Sequence, residues 1–347
     1  MTKVSQRDIA KALKVSPMTV SLALRNSPEV SEMTRQNVKS KAAEMGYQAD
    51  PGLSALNNWR RRKTINEEHT TLAFITNWET EDHWKKSYVR HFFEGATETA
   101  AQRGYKLEPF WLGNYDNQEQ ASRVLHARGI RGLLIAPLFG ESGGLDLDWS
   151  KFSAVAVGPT LTRPRLHRAI HDYASGTQDV VEKLREMGFR KLALGAPYRI
   201  DEMTEFRISG AFLNALHRYP ELAGSQLIGR VEETADNVQN WLQEVKPEVV
   251  ITIGDVFPEA LRQLGWKIPE EIAHVSLRIP YGDQNETAGI SYAAKEIGSV
   301  AAAKLDSLLQ VNELGLPAHP VDLTVRGFWT PGRSLGTRPG AAIGSQQ

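Results

Sequence analysis

His167 and His171 stand four residues apart, the spacing at which two imidazoles can share a metal ion when one helix face carries them with a general-base glutamate between. Arg168, Ala169 and Ile170 fill the interval instead, and the pair flanks a strand-like run, so the sequence predicts no metal site. Gly140-Glu-Ser-Gly-Gly has the composition of a phosphate cradle, but no Gly-Lys-Ser/Thr follows it, and the segment reads as a turn. The same five residues spell Gly-x-Ser-x-Gly, but a turn is not the strand-to-helix elbow that a serine nucleophile needs. Carboxylates such as Glu79 and Glu81 read as a solvated face. With no cysteine, the chain has no thiolate nucleophile, zinc thiolate or disulfide. The reading is therefore of a protein that is not an enzyme and takes no cofactor.

Charge points elsewhere. The 347 residues hold 41 Lys/Arg and 41 Asp/Glu, yet residues 1–63 alone hold twelve basic and five acidic side chains. That surplus of seven positive charges is matched by an equal deficit in the remainder. A basic head on an acidic body suits a head that meets phosphates. Apolar residues make up 41 %, enough for packed cores. The first residues, MTKVSQRDIAKAL, lack the apolar centre of a secretory signal, and no run of about 18 apolar residues occurs. A cytoplasmic protein without a membrane span is expected.

The elements that would position the basic head are three short helices. Ser5 and Ser16 are N-cap types, and Pro17 suits the first helical turn. Ile9, Ala10 and Leu13 form one apolar stripe, and Val20, Ala23 and Leu24 a second. A third helix opens at Ser31, turns Val38, Ala42 and Met45 inward and closes at Gly46. Two helices joined by a tight turn at Lys14–Val15, with a third as brace, make a helix-turn-helix unit. Its second helix can enter a major groove about 12 Å wide.

The residues from Ser5 to Leu24, then Val30-Ser-Glu-Met-Thr-Arg, then Glu44-Met-Gly-Tyr47, resemble without gaps the N-terminus of the lactose-repressor/galactose-repressor family. That resemblance implies phosphate contacts for Ser16, Thr19 and Ser21, and positions facing base edges for Pro17, Met18 and Leu22. Leu22 departs from the family's frequent arginine, so readout should lean on apolar contacts and DNA shape. In residues 50–62, Asp50 and Pro51 are suited to start a short helix, with Leu53 and Leu56 on one face. The resemblance implies a hinge helix there, with Leu56 as a minor-groove wedge. Arg60, Arg61, Arg62 and Lys63 could meet phosphates. Gly52 weakens so short a helix, which is expected to be loosely packed without DNA. A plain basic tether is the competing reading.

Beyond residue 70, apolar runs alternate with helical segments: Thr71–Thr76, Tyr105–Trp111, Gly132–Pro137 and Ala154–Val157, then Lys191–Leu194, Leu227–Val231, Val249–Ile253 and Ala273–Leu277. Repeated strand–helix units imply parallel sheets covered by helices on both faces. This order resembles the type I periplasmic-binding-protein fold that the same family uses as a sensor. The whole is read as an N-terminal all-α helix-turn-helix module plus an α/β domain of two Rossmann-like subdomains. The expected divisions are 1–49 for the module, 50–63 for the hinge, 64–331 for an effector-binding, dimerising domain and 332–347 for a flexible tail. Crossings between subdomains are expected near residues 165, 291 and 325.

The resemblance also implies effector contacts at Asn77, Trp78, Tyr88, Asp172, Arg207, Asp255 and Arg278. Trp78, Trp84 and Tyr88 are either a stacking surface for a sugar or subdomain core. Arg278 stands where the family commonly has an acid, so either the effector is acidic or Asp255 pairs with Arg278. A pseudo-palindromic double-stranded DNA operator, a carbohydrate or carbohydrate-derived effector and a homodimer complete the expectation. A transport solute-binding protein and an enzyme with an appended DNA-binding module are the alternatives; export would favour the first and turnover the second.

Overall fold

A computed structural model describes residues 4–27, 29–47, 70–140, 143–228, 234–254, 256–279, 282–283 and 285–336. Leu53, Leu56 and Asp255 lie outside the described residues. By contacts the chain divides into two compact units. The first comprises residues 1–157, 161–169 and 298–322, and the second residues 158–160, 170–297 and 323–347. The long crossings thus fall at 169/170, 297/298 and 322/323, a few residues from the three positions expected.

The first unit begins with α1 (Gln6–Leu13), α2 (Pro17–Leu24) and α3 (Glu32–Glu44). Local chemistry sets each start. Ser5 and Asp8 form a reciprocal capping box, and the Ser5 hydroxyl and amide hold the Asp8 carboxyl below its ordinary pKa. Ser16 and Ser31 accept from the amides of Thr19 and Thr34. The core is Ile9, Ala10, Val20, Ala23, Val30, Val38 and Ala42. Gln6 donates to the Tyr47 hydroxyl at 3.1 Å, tying the start of the module to its end.

The body follows with β1 (Thr70–Thr76), α4 (Val89–Gln102), β2 (Tyr105–Trp111), α5 (Gln118–Ala127), β3 (Gly132–Ile135), β4 (Gly143–Gly144), β5 (Ser153–Val157), β6 (Leu161–Arg163) and β7 (His167–His171). Next come α6 (Tyr173–Glu186), β8 (Leu192–Gly195), α7 (Tyr198–Met203), α8 (Arg207–Arg218), β9 (Gln226–Leu227), α9 (Ala235–Val245), β10 (Val249–Thr252) and α10 (Val256–Gln263). β11 (Ala273–Ser276), β12 (Ala288–Ile290), α11 (Ala294–Gln310), β13 (Asp322–Val325) and β14 (Trp329–Thr330) complete the chain.

One sheet runs β13-β7-β5-β3-β1-β2 and the other β14-β12-β11-β10-β8-β9. In the first sheet β1–β2, β1–β3, β3–β5 and β5–β7 pair in parallel. In the second, all strand pairs are parallel except β12–β14. Every residue of β3, β5, β8, β10 and β11 is buried, which explains their unbroken apolar runs: a parallel strand is covered on both faces. Both sheets reverse winding direction, between β1 and β3 and between β8 and β10. Ligands of open α/β sheets bind beyond the carboxyl ends of strands at such reversals.

α11 is pinned to the first unit. Asp306, buried on it, pairs with Arg103 and accepts from the Tyr105 hydroxyl at 3.0 Å. Gly298 meets the backbone of α4 so closely that a Cβ there would stand 2.0 Å from the Phe92 carbonyl oxygen.

The structure corrects two expectations. His167 and His171 are the two ends of β7 itself, not residues beside it. Residues 332–336 are part of the body rather than tail. Leu335 is buried there, and the Ser334 hydroxyl donates to the His274 carbonyl at 2.7 Å while accepting from the Ala288 amide. The Gly/Pro content of this stretch hid a packed turn.

Candidate functional site

In the helix-turn-helix module, Pro17 and Met18 are exposed, Met18 with 61 % of its surface open. Thr19, Ser21 and Leu22 are half-buried. Ser16 and Thr19 hydroxyls share a 2.9 Å hydrogen bond, and the Ser21 hydroxyl accepts from Arg25 at 3.1 Å. The hydroxyls of the second helix are therefore oriented before any partner arrives. Leu22 packs partly against the module's own core, so Met18 and Pro17 are the apolar groups that stand clear of it.

In the first unit, the groups following β1 and β3 meet at the sheet reversal. The Asn77 side-chain oxygen Oδ1 accepts from the Phe139 amide at 2.9 Å, fixing one loop to the other. Trp78 donates from its indole to the Pro137 carbonyl at 3.0 Å, and its own carbonyl accepts from the Trp111 indole at 2.6 Å. Ring centroids of Trp78, His83 and Phe139 lie 5.1 to 5.6 Å apart, a cluster of three tilted rings at the strand ends. Sequence reasoning found Trp78 and missed His83 and Phe139; their only signal was proximity to the ends of strand-like runs. Trp84 is core: 1 % exposed, its ring lies 5.5 Å from Phe74 and 5.1 Å from Phe93. Its indole nitrogen is buried without a partner. Tyr88 precedes α4, half-buried, with its ring edge on Phe92.

The second unit shows a comparable gathering. Asp172 caps α6 by accepting from the Ser175 amide at 3.0 Å. The Arg278 guanidinium carbon lies 5.6 Å from the Tyr292 ring centroid. Gly254, at φ +77°, leaves space between that arginine and α7: a Cβ on it would stand 3.3 Å from Ile200 and 3.8 Å from an Arg278 nitrogen. Glu205 and Phe206 both adopt positive φ (58° and 57°), a strained pair of non-glycine residues that aims Arg207 from the first position of α8. Buried Asp201 secures this turn, accepting from Ser209 at 3.1 Å through its carboxylate and from Phe206 at 2.8 Å through its carbonyl. Arg207 itself holds Glu205 at 3.1 Å. Asp201 and Tyr292 were not foreseen.

His171 sits beside this cluster, between the rings of Tyr173 (5.2 Å) and Tyr292 (5.3 Å), and both ring nitrogens are buried without partners. Burial pushes its pKa down to about 4, with Asp172 opposing and Arg278 adding to the shift. It is neutral near pH 7. Among the described residues no group of three or more His, Cys, Asp or Glu could hold a metal ion. No described helix is long and apolar enough to cross a membrane.

Comparison with known proteins agrees with this geometry. The profile described as bacterial regulatory proteins, lacI family, matches residues 6–50, the helix-turn-helix module and the residues just after it. The transcriptional repressor CytR of Escherichia coli K12 is 25 % identical over 255 residues, covering 70 % of this chain and 68 % of its own. The transcriptional regulator MalR of Staphylococcus xylosus is 23 % identical, covering 62 % of each chain. In fold, the chain is similar to the lac repressor dimer bound to operator and the anti-inducer ONPF, with TM-score 0.54, 15 % identity and coverage of 96 % and 99 %. It is also similar to the transcription regulator CcpA of Lactococcus lactis, with TM-score 0.56, 17 % identity and coverage of 77 % and 99 %. The regulator CelR, solved with cellobiose, matches with TM-score 0.54, 17 % identity and coverage of 96 % and 100 %. The capped three-helix head thus matches the lacI-family profile over residues 6–50, and the whole chain is similar in fold to solved transcription regulators that join such a head to two parallel sheets.

Proposed function

We propose that the chain is a sequence-specific DNA-binding transcription regulator, a repressor, whose operator affinity is set by a small molecule held at the strand ends of its body. It acts as a cytoplasmic homodimer on a pseudo-palindromic operator, because one module reads a single half-site and paired half-sites mirror a two-fold. Met18 and Pro17 of α2 contact base edges together with Leu22. Ser16, Thr19 and Ser21 contact phosphates, and Leu56 wedges the minor groove with Leu53 on the same face of the hinge. The candidate contacts for the effector, a sugar or sugar derivative, are Asn77, Trp78 and Tyr88 in the first unit and Asp172, Arg207, Asp255 and Arg278 in the second. The relatives' ligands support the sugar class: one neighbour was solved with cellobiose, and another with ONPF. Effector binding changes operator affinity by a coupling free energy of about 1–3 kcal/mol. The body serves as a receptor, without turnover.

One observation carries this reading: a basic helix-turn-helix head presents an uncovered Met18 on its second helix, ahead of a body with polar and aromatic groups at both sheet reversals. The test is selection of a preferred duplex from a random library by the full chain at moderate salt. A thermal-shift screen of neutral sugars and sugar acids then follows, since a bound ligand stabilises by RT ln(1 + [L]/Kd). Enrichment of a two-fold-related sequence is expected. No enrichment, with or without candidate ligands, would overturn the proposal.

A further inference from the structure

The turn after α2 and the turn after α11 are interlocked by two asparagines. Asn312 donates its side-chain amide to the Arg25 carbonyl at 2.8 Å, and Asn26 donates its own to the Val311 carbonyl at 3.2 Å. The arrangement is reciprocal. Each asparagine follows the last turn of its helix in left-handed conformation (φ 57° at Asn26, 49° at Asn312), and each reaches the carbonyl of the residue just before the other. The last carbonyls of a helix lack intrahelical partners and carry its negative dipole end. Two such ends brought together repel unless donors stand between them. Asparagine supplies the donor and is among the few residues that accept the left-handed backbone readily.

Both sides of this contact are anchored. Arg35 of α3 donates to the carbonyls of Asn26 and Ser27 at 3.3 and 3.0 Å, so the α2–α3 turn is rigid within its module. α11 is fixed by Asp306 and by the Gly298 approach. Its first residues, 294–297, belong to the second unit and the remainder to the first. Tyr292, whose ring faces Arg278 and His171, lies two residues before α11. α11, 17 residues and about 25 Å long, ends at the asparagine pair.

We infer that Asn26 and Asn312 form a clasp that fixes the orientation of α2 to α11, so that the module is carried by the body and not by the linker alone. Resting on the regulator reading above, α11 then transmits effector-driven displacement to α2 through the clasp. The clasp pre-orders the module: without it, the orientational freedom of α2 is lost only when DNA binds, and affinity falls.

The chain has no cysteine, so proximity is testable directly. Oxidation of the full-length N26C/N312C variant with copper phenanthroline should close an intramolecular disulfide at least tenfold faster than in the M33C/N312C control, whose Met33 is exposed on the same module. Equal rates would overturn the clasp. The second arm uses Asn26→Gly and Asn312→Gly, which keep the left-handed turns and remove only the amides. Against the duplex selected by the wild-type chain, each should bind about fivefold more weakly. The double variant should be little worse than either single, because both bonds belong to one contact. Wild-type affinity in the double, or losses that multiply, would overturn the coupling. If the wild-type chain selects no duplex, the regulator reading fails while the disulfide rates still decide the clasp.

Discussion

Arg168 grips Asp322 with two parallel hydrogen bonds, Nε to Oδ1 at 2.8 Å and Nη2 to Oδ2 at 2.7 Å. The arginine is 7 % exposed, at a point where β7 and β13 leave the first unit for the second. A buried bidentate pair is weak evidence for stability, because desolvation offsets the attraction, but removing one partner strands a charge. Asp322→Ala should therefore destabilise by about 3 kcal/mol. Arg168→Met with Asp322→Leu should recover most of the loss. Denaturant unfolding of the three proteins checks this, and a double variant as unstable as the single would contradict it.

Two buried histidines predict a pH dependence. Burial holds both His171 and His274 at about 4, below the ordinary 6.5 of an unfolded chain. His171 faces Asp172 and Arg278, and His274 faces Asp283. Because the folded pKa is depressed, the unfolded state takes up protons first. Stability should fall as pH drops from about 6.5 towards 4 and level off below, by on the order of 3 kcal/mol per histidine. Melting temperatures of His171→Gln and His274→Gln should each show a shallower slope across that window. An unchanged slope in both would exclude them as the source.

Ser16 and Ser31 make the same N-cap bond in one module but differ in predicted role. Either change to alanine should cost about 1 kcal/mol of stability. Only Ser16→Ala, on the helix assigned to the groove, should also weaken binding to the selected duplex beyond that shared loss. Equal DNA affinities would place the phosphate contact elsewhere.

The tryptophans separate core from surface in the same way. Trp84→Ala should destabilise by about 3–5 kcal/mol, as emptying a core site does. Trp78→Ala, which loses a half-buried ring and its bond to the Pro137 carbonyl, should cost less stability than Trp84→Ala while abolishing the thermal shift produced by any sugar or sugar acid that registers with the wild-type chain. A full shift in Trp78→Ala would remove the stacking role. Arg207→Ala offers a parallel check in the second unit.

These residues also show what the sequence could and could not convey. The module was legible nearly residue by residue, because caps and apolar stripes are local: Ser5, Ser16 and Ser31 cap the three helices as read. The parallel strands were legible because burial on both faces leaves unbroken apolar runs. The strand-end clusters were legible only in part. Trp78 and Arg207 adjoin recognisable segments, whereas Phe139 joins Trp78 across 61 residues of chain, a partnership that spacing does not encode. Trp84 shows the converse. Its neighbours in sequence look like those of Trp78, and only three-dimensional packing against Phe74 and Phe93 assigns it to the interior. The turn at Glu205–Phe206 was invisible because its two left-handed residues are not the glycines or asparagines that usually announce one.

Gly298 sets a limit on how this protein can vary. With only a hydrogen as spacer between two helix backbones, any heavier atom must push one axis away from the other. A saturation library of the chain should return this position as intolerant as any in the helix assigned to the groove, although it belongs to neither that helix nor the strand-end clusters.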